Sequence, residues 1–323
     1  MSVSATAFGV ATIDSVGGIL DCWFPTPRLG EGLPSEQRVP DSNGDEIDAL
    51  SDVYAGAIGY DPIRNVRRVG ITVSIEDLDG AIFGSADAFL RLHLLSHRLV
   101  APNTINLDGL LTTLRQDVAW TSAGPCCHAE LPRIMARARA AGIPLHVRSI
   151  FPVPPMLDYV WPEGVIIADG LRVLLGAYLS PGTTLTPEGA CGFNAGTLGR
   201  CMVEGRISIG VVVGAETDVG GGASLMGVTS GGGRQIVSIG KRCLLGANSG
   251  VGIALGDDCV VEAGCYVTAG TLVRCPDGQV VKAWQLAGRP DLLFRRHSQS
   301  GALEAVGNNS RWNGLNAAFH HAA

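Results

Sequence analysis

Lysine is almost missing from this chain: of 24 basic residues only Lys241 and Lys282 are lysines, and the rest are arginines. Histidine is scarce where it would matter most. The seven histidines stand at 93, 97, 128, 146, 297, 320 and 321, with none between Met156 and Leu293. That stretch therefore offers neither a three-histidine zinc site nor a histidine general base. Nine cysteines show no CxxC spacing, which argues against both a zinc ribbon and a disulfide framework. No apolar run reaches about 18 residues, and no cationic leader opens the chain, which argues against membrane spanning and secretion. The formal charge of −6 is mild and speaks against nucleic acid as a partner.

What is abundant is glycine, 44 residues of it, in a chain that is 46% hydrophobic. From Val173 to Leu272 the sequence repeats every six residues. Units such as Leu175-Gly-Ala-Tyr-Leu-Ser, Pro181-Gly-Thr-Thr-Leu-Thr and Pro187-Glu-Gly-Ala-Cys-Gly are followed by Ile207-Ser-Ile-Gly-Val-Val, Val213-Gly-Ala-Glu-Thr-Asp and Val219-Gly-Gly-Gly-Ala-Ser. Further on come Ile239-Gly-Lys-Arg-Cys-Leu, Leu245-Gly-Ala-Asn-Ser-Gly, Leu255-Gly-Asp-Asp-Cys-Val and Val261-Glu-Ala-Gly-Cys-Tyr. Hexapeptide periodicity marks a parallel β-helix, here expected to be left-handed. Each hexad gives a short strand and a corner, and about three close one triangular coil. Positions one and five point inward and must be apolar or small. Cys191, Cys243, Cys259 and Cys265 hold position five, where a thiol acts as a small hydrophobe, consistent with a reducing cytoplasm.

The fold class is mixed: residues 1–155 read as an α/β domain, 156–290 as the β-helix, and 291–323 as a small C-terminal segment with a polar tail from about Asn308. In the first domain, Gly9–Ile13, Gly18–Phe24 and Arg68–Ile75 read as strands. Ser85 is placed to cap a helix through Phe89, Leu92, Leu95 and Leu99. A second helix over Leu131–Ala141 precedes a strand at Leu145–Ile150, and residues 28–50 read as a loop. The hexad register breaks three times: between Phe193 and Ile207, at Thr229-Ser-Gly-Gly-Gly-Arg-Gln, and between Val251 and Leu255. The first two breaks are expected to extrude loops, where sites tend to be built.

With no histidine on the coil, an ionisable catalytic group there has to be a carboxylate. Glu204, in the first break, can take a proton from an attacking amine or attack a thioester itself. Arg206 can hold a substrate carboxylate through its planar fork. The alternative is an ordinary surface ion pair between them. Glu262 stands second in its hexad, where acidic residues are commonplace. Lys282 can neutralise a coenzyme phosphate. His93 and His97 lie at i and i+4 without the glutamate a metalloprotease needs, and read as structural. Gly220-Gly-Gly is in phase with the hexads and Gly231-Gly-Gly belongs to a loop, so neither is a P-loop.

The strings Met202-Val-Glu-Gly-Arg-Ile-Ser, Gly240-Lys-Arg-Cys-Leu-Leu-Gly-Ala-Asn-Ser-Gly, Asp257-Asp-Cys-Val-Val-Glu-Ala-Gly and Leu90-Arg-Leu-His-Leu-Leu-Ser-His-Arg closely resemble the tetrahydrodipicolinate N-succinyltransferases of the actinobacterial type. The likeness runs from about residue 85 to 305. It implies a cytoplasmic homotrimer moving succinyl from the co-substrate succinyl-CoA to an amino group of a dicarboxylate, in lysine and diaminopimelate biosynthesis. Its partners are then further copies of itself and small molecules, not nucleic acid or membrane. By motif, Glu204 matches the catalytic glutamate. Arg206, Gly221, Ser224, Ala247, Glu262, Gly270, Lys282 and the run Arg295, Arg296, His297 and Ser298 match ligand-contacting positions. Glu188 matches an acidic residue that can hold a divalent cation such as Mg on the trimer axis. Departures fall at Leu171, where the family has Asp, in Phe151-Pro-Val-Pro-Pro-Met-Leu-Asp-Tyr, and in Glu188-Gly-Ala-Cys-Gly. They leave two alternatives: the same chemistry on another amine, or a non-catalytic trimeric scaffold.

Overall fold

The computed structural model describes residues 3–30, 38–40, 46–48, 56–227 and 236–308. The loop expected at 229–235 and the tail beyond Asn308 lie outside the described residues. Two compact units make up the chain: residues 1–100 with 104–160, and 101–103 with 161–323.

The first unit is built on a small antiparallel sheet. Strand β1 (Ala5–Ile13) lies between β2 (Ile19–Trp23) and β3 (Val66–Ile75), with Val10 opposite Trp23 and Gly70. Its side chains are buried on both faces, whereas β3 between its buried ends runs through half-buried and exposed positions, as one open face dictates. The segment 28–50 is more than a loop: Arg28–Leu29 pairs with β1, and Arg38–Pro40 pairs with Glu46–Asp48. Helix α1 (Ser85–Ser96) is apolar nearly all round and buried from Asp87 onward, as expected of a core helix. Ser85 does not cap it. Gly84 occupies the cap, Ser85 Oγ donates to Thr113 O, and the Asp87 carboxylate takes the Phe83 N–H at 2.7 Å. A charge inside this core is tolerated because it is fully partnered. Arg91, 0% exposed, pairs with Asp87 at 2.6 Å and donates to Leu78 O and Asn106 O. His93 is likewise structural: Nδ1–H donates to Phe89 O, and Nε2 accepts the Phe24 N–H. Burial lowers its pKa to about 3. A hairpin of β4 (Val118–Thr121) and β5 (Gly124–Cys127), helix α2 (Leu131–Ala140) and β6 (Val147–Ile150), paired with β4, complete the unit.

The second unit is a left-handed parallel β-helix. One face stacks Thr184–Leu185, Cys201–Val203, Thr217–Val219, Leu244–Leu245, Val260–Val261 and Leu292–Arg296, all in parallel. A second face stacks Ala190–Cys191, Arg206–Ile207, Ser224–Leu225, Gly250–Gly252 and Tyr266–Thr268. A third stacks Ala177–Leu179, Ala195–Thr197, Val212–Val213 and Ser238–Ile239. Fifth-position residues Leu179, Cys191, Val211, Ala223, Cys243, Cys259 and Cys265 are buried in the prism. Burial pushes the Cys191 thiol up to about 12, so it stays neutral. Pro181 and Pro187 depart from the expected frame: they are exposed at corners, and Leu185 and Cys191 fill the interior instead. The C-terminal segment continues the prism, since Leu292–Arg296 adds to the first face and turns back antiparallel to Leu303–Gly307. No helix among the described residues is long and apolar enough to cross a membrane.

Register partners explain the breaks. Thr184 pairs with Met202, 18 residues on, but Ala190 pairs with Arg206 after only 16. The first break is thus a corner shortened by two residues, not an extruded loop. The second is an insertion, because Ser224 pairs with Gly250 after 26 residues. The third again shortens a coil to 16, between Gly250 and Tyr266.

Candidate active site

The corner between the first and second faces carries most of the expected site residues. At this edge the coils turn through four residues at Thr186–Gly189, Gly220–Ala223, Gly246–Ser249 and Glu262–Cys265, but through Glu204-Gly205 alone in the coil between the first two. The tight turn is held by the backbone, as Glu204 N–H and Gly205 N–H both donate to Val219 O, at 2.8 and 3.2 Å. Glu204 therefore leaves the corner directly beside the next coil. Gly221 has no side chain to fill that space. A Cβ built on it would lie 3.8 Å from both Glu204 Oε2 and Glu188 Oε2, so two carboxylates from adjacent coils face one gap.

Glu204 and Arg206 do not form the surface ion pair that would make them unremarkable. Arg206 Nη2 instead donates to Ser224 Oγ at 2.7 Å, across to the neighbouring coil. Among the described residues neither Glu188 nor Glu204 has a cation within ion-pair distance. A half-buried carboxylate with no partner is free to accept a proton; a guanidinium two residues away keeps donors for an anion.

Further along the same edge, Gly221 O accepts the Asn248 N–H, and Ala247 is exposed beside it. Asn248 was not singled out from sequence. Its signal is a positive φ of 56° at a corner where neighbouring coils use Gly222 and Gly264. Glu262 then takes the Arg296 N–H on Oε2 at 2.8 Å, which ties the C-terminal run to this edge. Within that run Arg295 pairs with Glu304, Arg296 donates to Gly301 O, and His297 Nδ1 meets Ser300; Ser298 is exposed.

Gly270 and Lys282 are elsewhere. They lie at the next corner, after Tyr266–Thr268, where Leu272 pairs with Lys282 and Ala283 N–H donates to Thr271 O. One chain therefore divides the expected residues between two edges of its prism.

The cation reading of Glu188 is not supported. Leu171 contributes no oxygen and is 47% exposed, and the described residues hold no group of three or more His, Cys, Asp or Glu suited to a metal. Arg172 instead binds this corner from beneath, donating to Glu188 O and Gly189 O.

A prism built from six-residue repeats, with a carboxylate that has no ion-pair partner among the described residues at a shortened corner, is the frame of a hexapeptide-repeat acyltransferase. Residues 236–269 match the hexapeptide repeat of succinyl-transferase, and residues 116–152 match the middle region of tetrahydrodipicolinate N-succinyltransferase. A 2,3,4,5-tetrahydropyridine-2,6-dicarboxylate N-succinyltransferase of Pseudomonas paraeruginosa is 52% identical, with 99% of this chain and 98% of the relative aligned. Its Vibrio cholerae counterpart is 42% identical over 99% of each chain. A crystal structure from Campylobacter jejuni, described as a candidate 2,3,4,5-tetrahydropyridine-2-carboxylate N-succinyltransferase, superposes with a TM-score of 0.79 at 28% identity, covering 95% of this chain and 93% of that one. The chain belongs to the tetrahydrodipicolinate N-succinyltransferase family. These relatives come from Pseudomonas and Vibrio, and the actinobacterial subtype rests on the motifs alone.

Proposed function

We propose that the protein transfers the succinyl group of succinyl-CoA to the amino group of tetrahydrodipicolinate, opened by water to its amino-ketone form, giving N-succinyl-2-amino-6-oxopimelate and free coenzyme A. This is the reaction named for its relatives. The observation that carries it is Glu204, a carboxylate without a partner beside the side-chain-free gap at Gly221. Glu204 takes the proton from the attacking amine as its nitrogen bonds to the thioester carbon. The C–S bond then breaks and the proton is passed on to the departing thiolate. Arg206, braced by Ser224, pairs with the terminal carboxylate of the succinyl group. Lys282, a flexible point charge, neutralises coenzyme phosphate, which lies far from the reacting carbon of the thioester.

The working form is a homotrimer in the cytoplasm. Its support is the division of the residues between two edges of one prism: packing three prisms sets the Glu204 edge of one copy against the Lys282 edge of the next. Nine free cysteines suit a reducing compartment.

The test is donor choice. A site built for the terminal carboxylate leaves a cation unpaired when the acyl group lacks it. Wild type is expected to prefer succinyl-CoA over acetyl-CoA by about 10² or more, and Arg206→Met to lose most of that preference. Equal rates with both donors in wild type would reduce the assignment to a generic coenzyme A acyltransferase.

A further inference from the structure

We infer that the first unit carries a binding site of its own, for a small carboxylate with a flat apolar body. The site is a cleft of about 400 Å³ between the β1–β2 pair and the β4–β5 hairpin, and every residue lining it belongs to the first unit. It goes beyond acyl transfer and shares no residue with the Glu204 edge.

The walls are aromatic and fixed. Trp120 Nε1 donates to Phe151 O at 2.6 Å, and Trp23 Nε1 donates to Tyr159 O at 3.1 Å. With its polar edge tied down, half-buried Trp23 offers ring surface to whatever enters, and Trp120, itself buried, backs the wall. Tyr159 stands edge-on to Trp120, its ring centroid 6.3 Å away, and its hydroxyl donates to Asp21 at 2.5 Å. Such walls suit a planar apolar group.

Three guanidinium groups reach the cleft, and two of them are already paired. Arg64, buried, binds Asp61 through Nε and Pro125 O through Nη1. Its seat depends on Gly124, where a Cβ would come within 2.4 Å of Nη1. Arg148 forks onto Asp158 with contacts of 2.9 and 2.5 Å. Arg68 is different. Among the described residues it has no carboxylate partner, and its Nε is buried with no hydrogen-bond acceptor. A buried donor without an acceptor is rare and is normally satisfied by something. The two acids lining the cleft do not serve: Asp158 is held by Arg148, and Asp21 is occupied by Tyr159 and Thr12, with burial raising its pKa. One uncompensated planar cation, beside aromatic walls, selects an acceptor with two coplanar oxygens. Inorganic anions would satisfy the charge and leave the rings uncovered. A neutral aromatic would cover the rings and leave Arg68 unsatisfied.

The experiment titrates the full-length protein with benzoate, and with benzamide as its neutral isostere, following tryptophan fluorescence and heat. Benzoate is expected to saturate a single site and to bind at least about tenfold more tightly than benzamide. Arg68→Met should lose about tenfold or more in benzoate affinity with succinyl transfer unchanged. Ala123→Phe, a rim substitution that narrows the cleft and leaves the cation in place, should weaken both probes. It serves as the second variant should Arg68→Met not fold. Absence of saturable benzoate binding, equal affinity for the two probes, or full benzoate affinity in Arg68→Met would overturn the inference.

Discussion

The two units of this chain solve the burial problem in opposite ways. In the prism most coils rest on coils 16 or 18 residues away, and the same inward positions recur. Its core is a column of interchangeable small apolar groups, so no single residue carries the fold. The first unit has no such redundancy. Helix α1 is buried on all sides and holds an arginine and a histidine in its core, each matched to particular partners from distant segments. The repeat makes the prism a regular frame whose irregularities are where the proposed chemistry is placed; singular contacts tie the first unit's fold to particular residues.

The contrast is sharpest if one substitution stops catalysis without touching the fold. Glu204→Gln is expected to lower turnover by about 10²–10⁴ with the unfolding transition unmoved, because the corner is held by backbone bonds to Val219 O. Near-normal turnover would remove the carboxylate from the mechanism. The converse holds in α1. Arg91→Met strands the buried Asp87 carboxylate, and should cost about 3–5 kcal/mol in denaturant unfolding. The double variant Arg91→Met/Asp87→Leu should recover much of it, and no recovery would show that the pair is not what matters.

Acid separates the units next. The unfolded imidazole of His93 protonates below about pH 6.5, the folded one only near 3. Between those values the unfolded state holds more protons, so stability is lost as pH falls through that window, by up to about 1.4 kcal/mol per pH unit. His97 shifts in the same direction, again through burial. The coils from Met156 to Leu293 contain no histidine to add to that slope. His93→Gln should flatten the pH dependence of unfolding, and an unchanged slope would place the proton uptake elsewhere. The smallest effect concerns Lys282→Ala, which should raise the donor KM several-fold with little change in kcat, and less so as salt rises. An unchanged KM at low ionic strength would leave Lys282 as a solvated surface charge.

How legible each unit was from sequence follows the same divide. A six-residue period announces itself, and the inward cysteines and aliphatics of the prism were readable one by one. The register breaks were visible too, but not their sign: a shortened corner at Glu204-Gly205 and an insertion both interrupt the hexads, and only strand pairing tells them apart. Glu204 and Arg206 stood out in sequence, whereas the gap at Gly221 and the bracing of Arg206 by Ser224 needed the stacking of coils. In the first unit, strands and helices were found from local patterning, but Ser85 was misplaced as a cap: Gly84 holds that position with no side-chain cap, and the Ser85 hydroxyl turns to Thr113 O. The partners of Arg91 come from Leu78 and Asn106, too far along the chain for local patterns to reveal.

The central claim is that the shortened corner carries succinyl transfer, and acceptor-dependent thiol release tests it most directly. Purified wild-type protein with succinyl-CoA should release free thiol only when tetrahydrodipicolinate is added, one thiol for each amine acylated. Glu204→Gln should do so about 10²–10⁴ times more slowly. Thiol release that ignores the acceptor, or that proceeds equally well in Glu204→Gln, would contradict the account.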